Sequence, residues 1–199
     1  TNDCWLRLSQ TLQRPVDRSD LPSVLSAIKS EAAVVRGALT GTMMRTDIYD
    51  FARLGTYIER ADNTARILDV KYYVLLPSPL HVGSRIDIAQ WESILRSLSA
   101  LRSYHWQNVG EVDPRGIAQF LMLDTRMPRS LAFCYAKIVR NLGYIDADYG
   151  HRSPSYEMAD TLLSGVTDRP IDAVIKDGLH EFLTESIAGT AALAAQIET

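Results

Sequence analysis

Cysteine is nearly absent from this sequence: Cys4 and Cys134 are the two in 199 residues, and no second thiol lies near either in the chain. That excludes a disulfide framework and any Cys-x-x-Cys redox or zinc motif. Lysine is scarce as well, restricted to Lys29, Lys71, Lys137 and Lys176, so arginine carries most of the positive charge. Arginine is the better residue for bidentate contacts in partly buried places, which points to internal ion pairing. Long apolar runs are missing; none approaches the roughly 18 residues of a membrane helix. An excess of one sign of charge is missing too. With 21 Lys and Arg against 24 Asp and Glu the formal charge is −3, which leaves no overall field for a polyanion and makes nucleic acid a poor default partner. No signal peptide is visible, and the cytoplasm is the expected compartment. The chain starts at Thr1 rather than at a methionine, so a trimmed amino terminus is expected.

What is present is ordinary globular material, 46% hydrophobic and 23% charged, enough for one domain with a full core. Period-2 runs closed by Asn-Gly or Asp-Gly turns are not found, whereas helix punctuation is plentiful. The pattern predicts an all-α fold, an antiparallel bundle of about six to seven helices in a single domain over residues 1–199. Cys4 to Leu12 reads as a helix tail. Asp20 caps and Pro22 opens a helix to about Leu39, with the Gly37 to Thr42 stretch breaking it. Asp47 starts the longest element, which runs from Ile48 to about Leu75 and stops before Pro77 and Pro79. Asp87 begins a helix reaching through Leu98 and Leu101 towards Trp106. Asp113-Pro114 opens a short one to Leu123, and Met127-Pro128 the next, with Leu131, Cys134, Tyr135, Ile138 and Leu142 as its buried stripe. Ser153-Pro154 introduces a helix to Leu163, and Arg169-Pro170 precedes the last, from Ile171 to Ile197. Gly143 to Ser153 has no clear period.

The chemically informative stretch is Phe51 to Asp69. On a helical wheel, Phe51, Leu54, Gly55, Ile58, Ala61, Ala65, Leu68 and Tyr72 form one apolar face. Glu59, Asp62, Arg66 and Asp69 draw a polar seam along its border, with Asp62 to Arg66 at i,i+4 and Arg66 to Asp69 at i,i+3, while Arg53, Arg60 and Asn63 point outwards. Carboxylates on a buried border cost several kcal/mol unless paired. The seam is therefore read in one of three ways: an ion-pair network between packed helices, a pocket floored by Glu59 and Asp62, or a partner-binding surface. Gly55 predicts a place where another backbone comes close.

The run Leu54 to Asp69, LGTYIERADNTARILD, resembles the motif of the alpha-E family of bacterial helical proteins, named for its Glu-Arg pair, here Glu59-Arg60. The later stretch Phe120 to Ser130, FLMLDTRMPRS, is similar to a second landmark of that family. The resemblance covers most of the chain. It implies a longer protein with an earlier copy of the Leu-Gly-Glu-Arg pattern, so that the present chain lacks the family-typical amino-terminal portion. It also implies companionship with circularly permuted ATP-grasp proteins, which join carboxylates to amines, often beside transglutaminase-like proteases and a proteasome-related peptidase. On this footing the chain is expected to be a non-catalytic accessory or binding domain. It would act with an ATP-grasp-type ligase, and with a peptide, in peptide synthesis or modification.

Two alternatives stand beside it: a helical enzyme of acyl or aminoacyl transfer with Glu59 or Asp62 as general base, and a self-associating homo-oligomeric scaffold. No cofactor is expected. Among His81, His105, His151 and His180 no two share a metal-binding spacing, so no metal is expected either. Cys134 reads as a small core residue and Ser130 as a first-turn helix residue. Arg126 and Arg129, flanking a helix start, are candidates for an anion or partner contact. Tyr144, Tyr149 and Tyr156 with Trp106 could line a groove, although helix packing explains aromatics equally well.

Overall fold

The computed structural model describes residues 2–13, 15–73, 85–108 and 112–199, without the side chains of Tyr72 and Tyr73. Pro77, Pro79 and His81 lie outside the described residues, and with them the expected end of the longest helix. Among the described residues there are nine helices and no strand, so the chain is all-α with more helices than the sequence pattern suggested. By internal contacts it divides into two compact units, residues 1–49 and 50–199.

The first unit holds α1 (Asn2–Thr11) and α2 (Leu21–Thr42). A two-pronged ion pair joins them, Arg7 Nε to Glu31 Oε1 at 2.7 Å and Arg7 Nη2 to Glu31 Oε2 at 2.9 Å. It holds the Glu31 carboxyl below its ordinary range and raises the guanidinium. Neither helix contains a fully buried residue. Asp20 stands at the N-cap of α2 but its side chain makes no cap bond; the hydroxyl of Ser23 donates to its carbonyl instead. Gly37 and Gly41 do not break this helix, which continues through both to Thr42. Each glycine costs only about 1 kcal/mol in an exposed helix, which the surrounding alanines and leucine offset.

The second unit is built on α3 (Asp47–Tyr73, which starts in the first unit), α4 (Arg85–Ser97), α5 (Leu101–Gln107), α6 (Pro114–Leu123), α7 (Leu131–Tyr149), α8 (Pro154–Thr167) and α9 (Ile171–Ile197). The single helix expected from Asp87 to Trp106 is two. Ser99 adopts a left-handed φ of 55°, and the bonds Ser99 N–H to Arg96 O (2.9 Å) and Ala100 N–H to Leu95 O (2.7 Å) close α4 in a Schellman turn. Ala100 and Leu95 are both fully covered, so burial of the turn holds a serine where glycine is usual.

Residues 143–149, without a legible period, continue α7 until Gly150 ends it at φ 74°, donating its N–H to Asp146 O. Other ends follow their sequence signals. Asp113 caps α6 by accepting from Gly116 N–H at 2.7 Å, and Ser153 caps α8 by accepting from Tyr156 N–H at 3.2 Å. The last helix is kinked at Gly178, whose φ of 118° is open essentially to glycine alone.

The core of this unit centres on α7, whose stripe Leu131, Cys134, Tyr135, Ile138 and Leu142 is buried as its spacing predicts. The Tyr135 hydroxyl crosses to α9, 2.8 Å from Thr190 Oγ1, and burial pushes its pKa up to about 12. One more tie fixes α3 to α4. Lys71 Nζ donates to Asp87 Oδ1 and Gln90 Oε1, each at 2.6 Å, with the two charged side chains only 1% and 4% exposed.

Candidate functional site

The buried stripe of α3 is Asp50, Leu54, Tyr57, Ala61, Thr64, Ala65, Leu68 and Lys71. The helical wheel placed Phe51 and Gly55 on this face, but Phe51 is 42% exposed and nothing lies within 4 Å of a Cβ built on Gly55. Among the described residues no other backbone approaches that glycine. The helix is turned so that three polar residues, Asp50, Thr64 and Lys71, are buried, Thr64 and Lys71 on partners in the core. That rotation decides where the charged residues of the motif stand.

Glu59 is exposed, and its carboxylate accepts from Nδ2 of Asn63 one turn on. Asp62 accepts from Arg66 Nε at 2.7 Å; with side chains 31% and 57% exposed, Asp62 is half-buried at the border and Arg66 stands in solvent. An exposed i,i+4 pair of this kind adds little to stability. It raises the Arg66 guanidinium pKa, chiefly through the hydrogen bond. Asp69 does not turn to Arg66. Its Oδ1 lies 2.5 Å from Nδ1 of His180 on α9, a contact between residues 111 apart in sequence.

The outward placement expected for Arg53 and Arg60 is also corrected. Both guanidinium groups fold over Tyr57, at 4.6 and 5.8 Å from the ring centre, and Arg53 donates to its hydroxyl. Arg60 Nη1 reaches the carbonyl of Pro128 at 3.5 Å, and the covered Thr64 hydroxyl donates to the carbonyl of Arg129 at 2.7 Å. The two motif stretches picked out in the sequence therefore meet: the Glu-Arg helix docks on the turn between α6 and α7.

That turn is internally braced. Asp124 Oδ1 accepts from Arg126 N–H (2.7 Å) and Met127 N–H (3.2 Å). Ser130 donates to Asp124 O at 2.5 Å while capping α7 through Phe133 N–H. Ser130 is thus the N-cap, and α7 opens at Leu131 rather than at Pro128. The proline is spent on the turn, where its fixed φ is useful. Burial acts to raise the Asp124 pKa but is outweighed by hydrogen bonds from the Gln107 side chain, the Arg126 N–H and its guanidinium, so the carboxyl sits below its ordinary range. Cys134, beneath the turn, is buried, and desolvation lifts its thiol to about 12 against the opposing fields of Arg60 and Arg129. It is a core residue, not a nucleophile.

The turn also lines a surface cleft of about 410 Å3, with Ser103, Trp106, Gln107, Phe120, Arg126, Met127 and Pro128 around it. A smaller hollow of about 170 Å3 adjoins it and shares Gln107 and Phe120. Trp106 is 90% exposed. Of the two arginines singled out beside the helix start, Arg126 lines this cleft and Arg129 does not. Tyr144, Tyr149 and Tyr156 are absent from its lining. Tyr144 stacks with Arg140 and Tyr156 with Arg152.

Sequence reasoning missed the Lys71–Asp87–Gln90 cluster and the Asp69–His180 contact, both joined across stretches that no local spacing encodes. The hydroxyl of Thr184 stands 3.5 Å from the other ring nitrogen of His180, an order of groups shared with acyl-transfer triads. Thr184 is exposed on its helix, however, and lines neither cleft. Among the described residues no three His, Cys, Asp or Glu side chains are grouped to hold a metal ion, and no helix is long and apolar enough to cross a membrane.

The fold and the docked motif define a class first: an all-helical domain organised around a Glu-Arg helix. The family model of alpha-E, described as a predicted alpha-helical domain with a conserved ER motif, matches residues 1–199, and the chain belongs to that family. Its single Glu-Arg pair is Glu59-Arg60. No curated protein and no solved structure matches the chain.

Proposed function

We propose that this is a non-catalytic binding domain of the bacterial cytoplasm that works beside an ATP-grasp-type amide ligase in the synthesis or modification of a peptide. The ligase comes from the family resemblance. The observation that carries the binding role is the Trp106 cleft. A tryptophan left 90% exposed beside Phe120, Met127 and Pro128, with Arg126 on the same lining, has the composition of an interface anchor. Supporting it, the two carboxylates that would serve a general-base mechanism are engaged on their own helix, Glu59 by Asn63 and Asp62 by Arg66. Neither lines either of the two clefts described above.

Co-purification of the full-length protein with the ATP-grasp protein encoded alongside tests the reading. A complex is expected at micromolar concentration, with Trp106→Ala weakening it by at least about tenfold, the usual scale for an anchor residue. Absence of a complex between the wild-type proteins sinks the proposal. An unchanged affinity in Trp106→Ala removes the cleft as its seat.

A further inference from the structure

We propose that the face shared by α3 and α7, built on Tyr57 and Phe133, binds a short acidic peptide segment through its carboxylates. The proposal rests on the peptide-handling reading above and gives that peptide a chemistry. Cations and rings share one stripe on each helix, over a Tyr57 ring that is itself buried. On α3 they are Arg53, Tyr57 and Arg60; on α7, Phe133, Lys137, Arg140 and Tyr144. They join where Tyr57 and Phe133 meet edge to face with ring centres 6.1 Å apart. Lys137 Nζ lies 5.1 Å from the Phe133 centroid, and Arg140 Nε donates to the Tyr144 hydroxyl at 2.6 Å.

Elsewhere in this unit most arginines take carboxylates: Arg66, Arg96, Arg115, Arg126, Arg152 and Arg169 each pair with one, while Arg102, which pairs with none, is exposed to water. Among the described residues none comes within ion-pair distance of Arg60, Lys137 or Arg140, nor of Arg129 on the docked turn. Glu59, next to Arg60 in the chain, is bonded to Asn63.

Arg60, Arg129 and Lys137 are half-buried. Withdrawing a cation from water without a counter-charge is unfavourable; ring faces and turn carbonyls return part of that cost, and an incoming carboxylate would return more. The stripe from Phe133 to Tyr144 is about 16 Å long at 1.5 Å per residue, the reach of about five extended residues. Nucleic acid fits less well. The chain carries a net charge of −3, and the rings already lie against cations instead of offering open faces for base stacking.

The test is fluorescence anisotropy on the full chain at low ionic strength, with labelled hexaglutamate as probe and labelled hexalysine and a hexanucleotide as comparisons. Hexaglutamate should saturate, weaken in high salt, and lose at least about tenfold in affinity in Lys137→Glu/Arg140→Glu. Circular dichroism should show that this double variant remains folded. No saturation by the wild type, undiminished binding by the folded double variant, or tighter binding of the hexanucleotide would each overturn the proposal. The ligase complex is scored separately through Trp106. Its loss with hexaglutamate binding intact removes the partner reading, and the converse outcome removes this inference alone.

Discussion

Replacing Lys71 by methionine keeps the length and shape of the side chain while deleting the ammonium that neutralises Asp87. The contact is enclosed, with the charged side chains 1% and 4% exposed, and Gln90 Oε1 loses the same donor. Breaking a buried pair from one side costs about 3–5 kcal/mol, because the remaining charge stays in a medium that solvates it poorly. For a chain of this size that corresponds to a fall in Tm of roughly 6–20 °C. Urea unfolding followed by far-ultraviolet circular dichroism measures the difference from the shift in midpoint. A second variant, Lys71→Met with Asp87→Leu, separates loss of charge balance from loss of packing, and should recover most of the stability, since buried pairs are often replaced by apolar groups at little cost. A single variant within about 1 kcal/mol of wild type, or a double variant no better than the single, would show that α3 and α4 are not held by this contact.

Three further substitutions probe the backbone and the turn. Gly55→Ala should stabilise by up to about 1 kcal/mol, since the added methyl meets nothing within 4 Å. Gly178→Ala should destabilise by about 1–3 kcal/mol, because φ there is 118°; equal effects in thermal melts would contradict both assignments. Asp124 has its folded pKa depressed, so its contribution is full above the unfolded value of about 3.9 and is lost as pH falls through the folded one. The stability gap between wild type and Asp124→Asn should therefore narrow from about pH 5 to about pH 2, and a gap independent of pH would refute the role given to the charge.

Legibility in the sequence tracked how local the determining physics is. Asp113-Pro114 and Ser153-Pro154 announce helix starts because a cap is a contact between near neighbours. The Leu131 to Leu142 stripe is legible because its buried members are all apolar or nearly so. The stripe of α3 was misplaced by part of a turn because polarity was taken to mean exposure. Thr64 and Lys71 are polar and yet covered, on account of Arg129 O, Asp87 and Gln90, none of them nearby in sequence. Of the seam, Asp62 and Asp69 are half-buried at the border and partnered, while Glu59 and Arg66 stand in solvent. Asp69 could not be matched with His180 by any spacing rule. The break at Ser99 gave no warning, because a left-handed serine leaves none of the signal that glycine leaves at position 150. Asp20 had the right identity for a cap and the wrong backbone, with φ −90° and ψ −14° in the helical region.

Arg60 and Thr64 grip the neighbouring turn by its main-chain oxygens, those of Pro128 and Arg129. Every residue type presents the same oxygen, so this joint reads the path of the turn and not its side chains. Damage to it is repairable from one side alone. In a suppressor screen started from Thr64→Val, compensating changes should never arise by swapping the side chain at 129, and a hydroxyl must be restored at 64 itself.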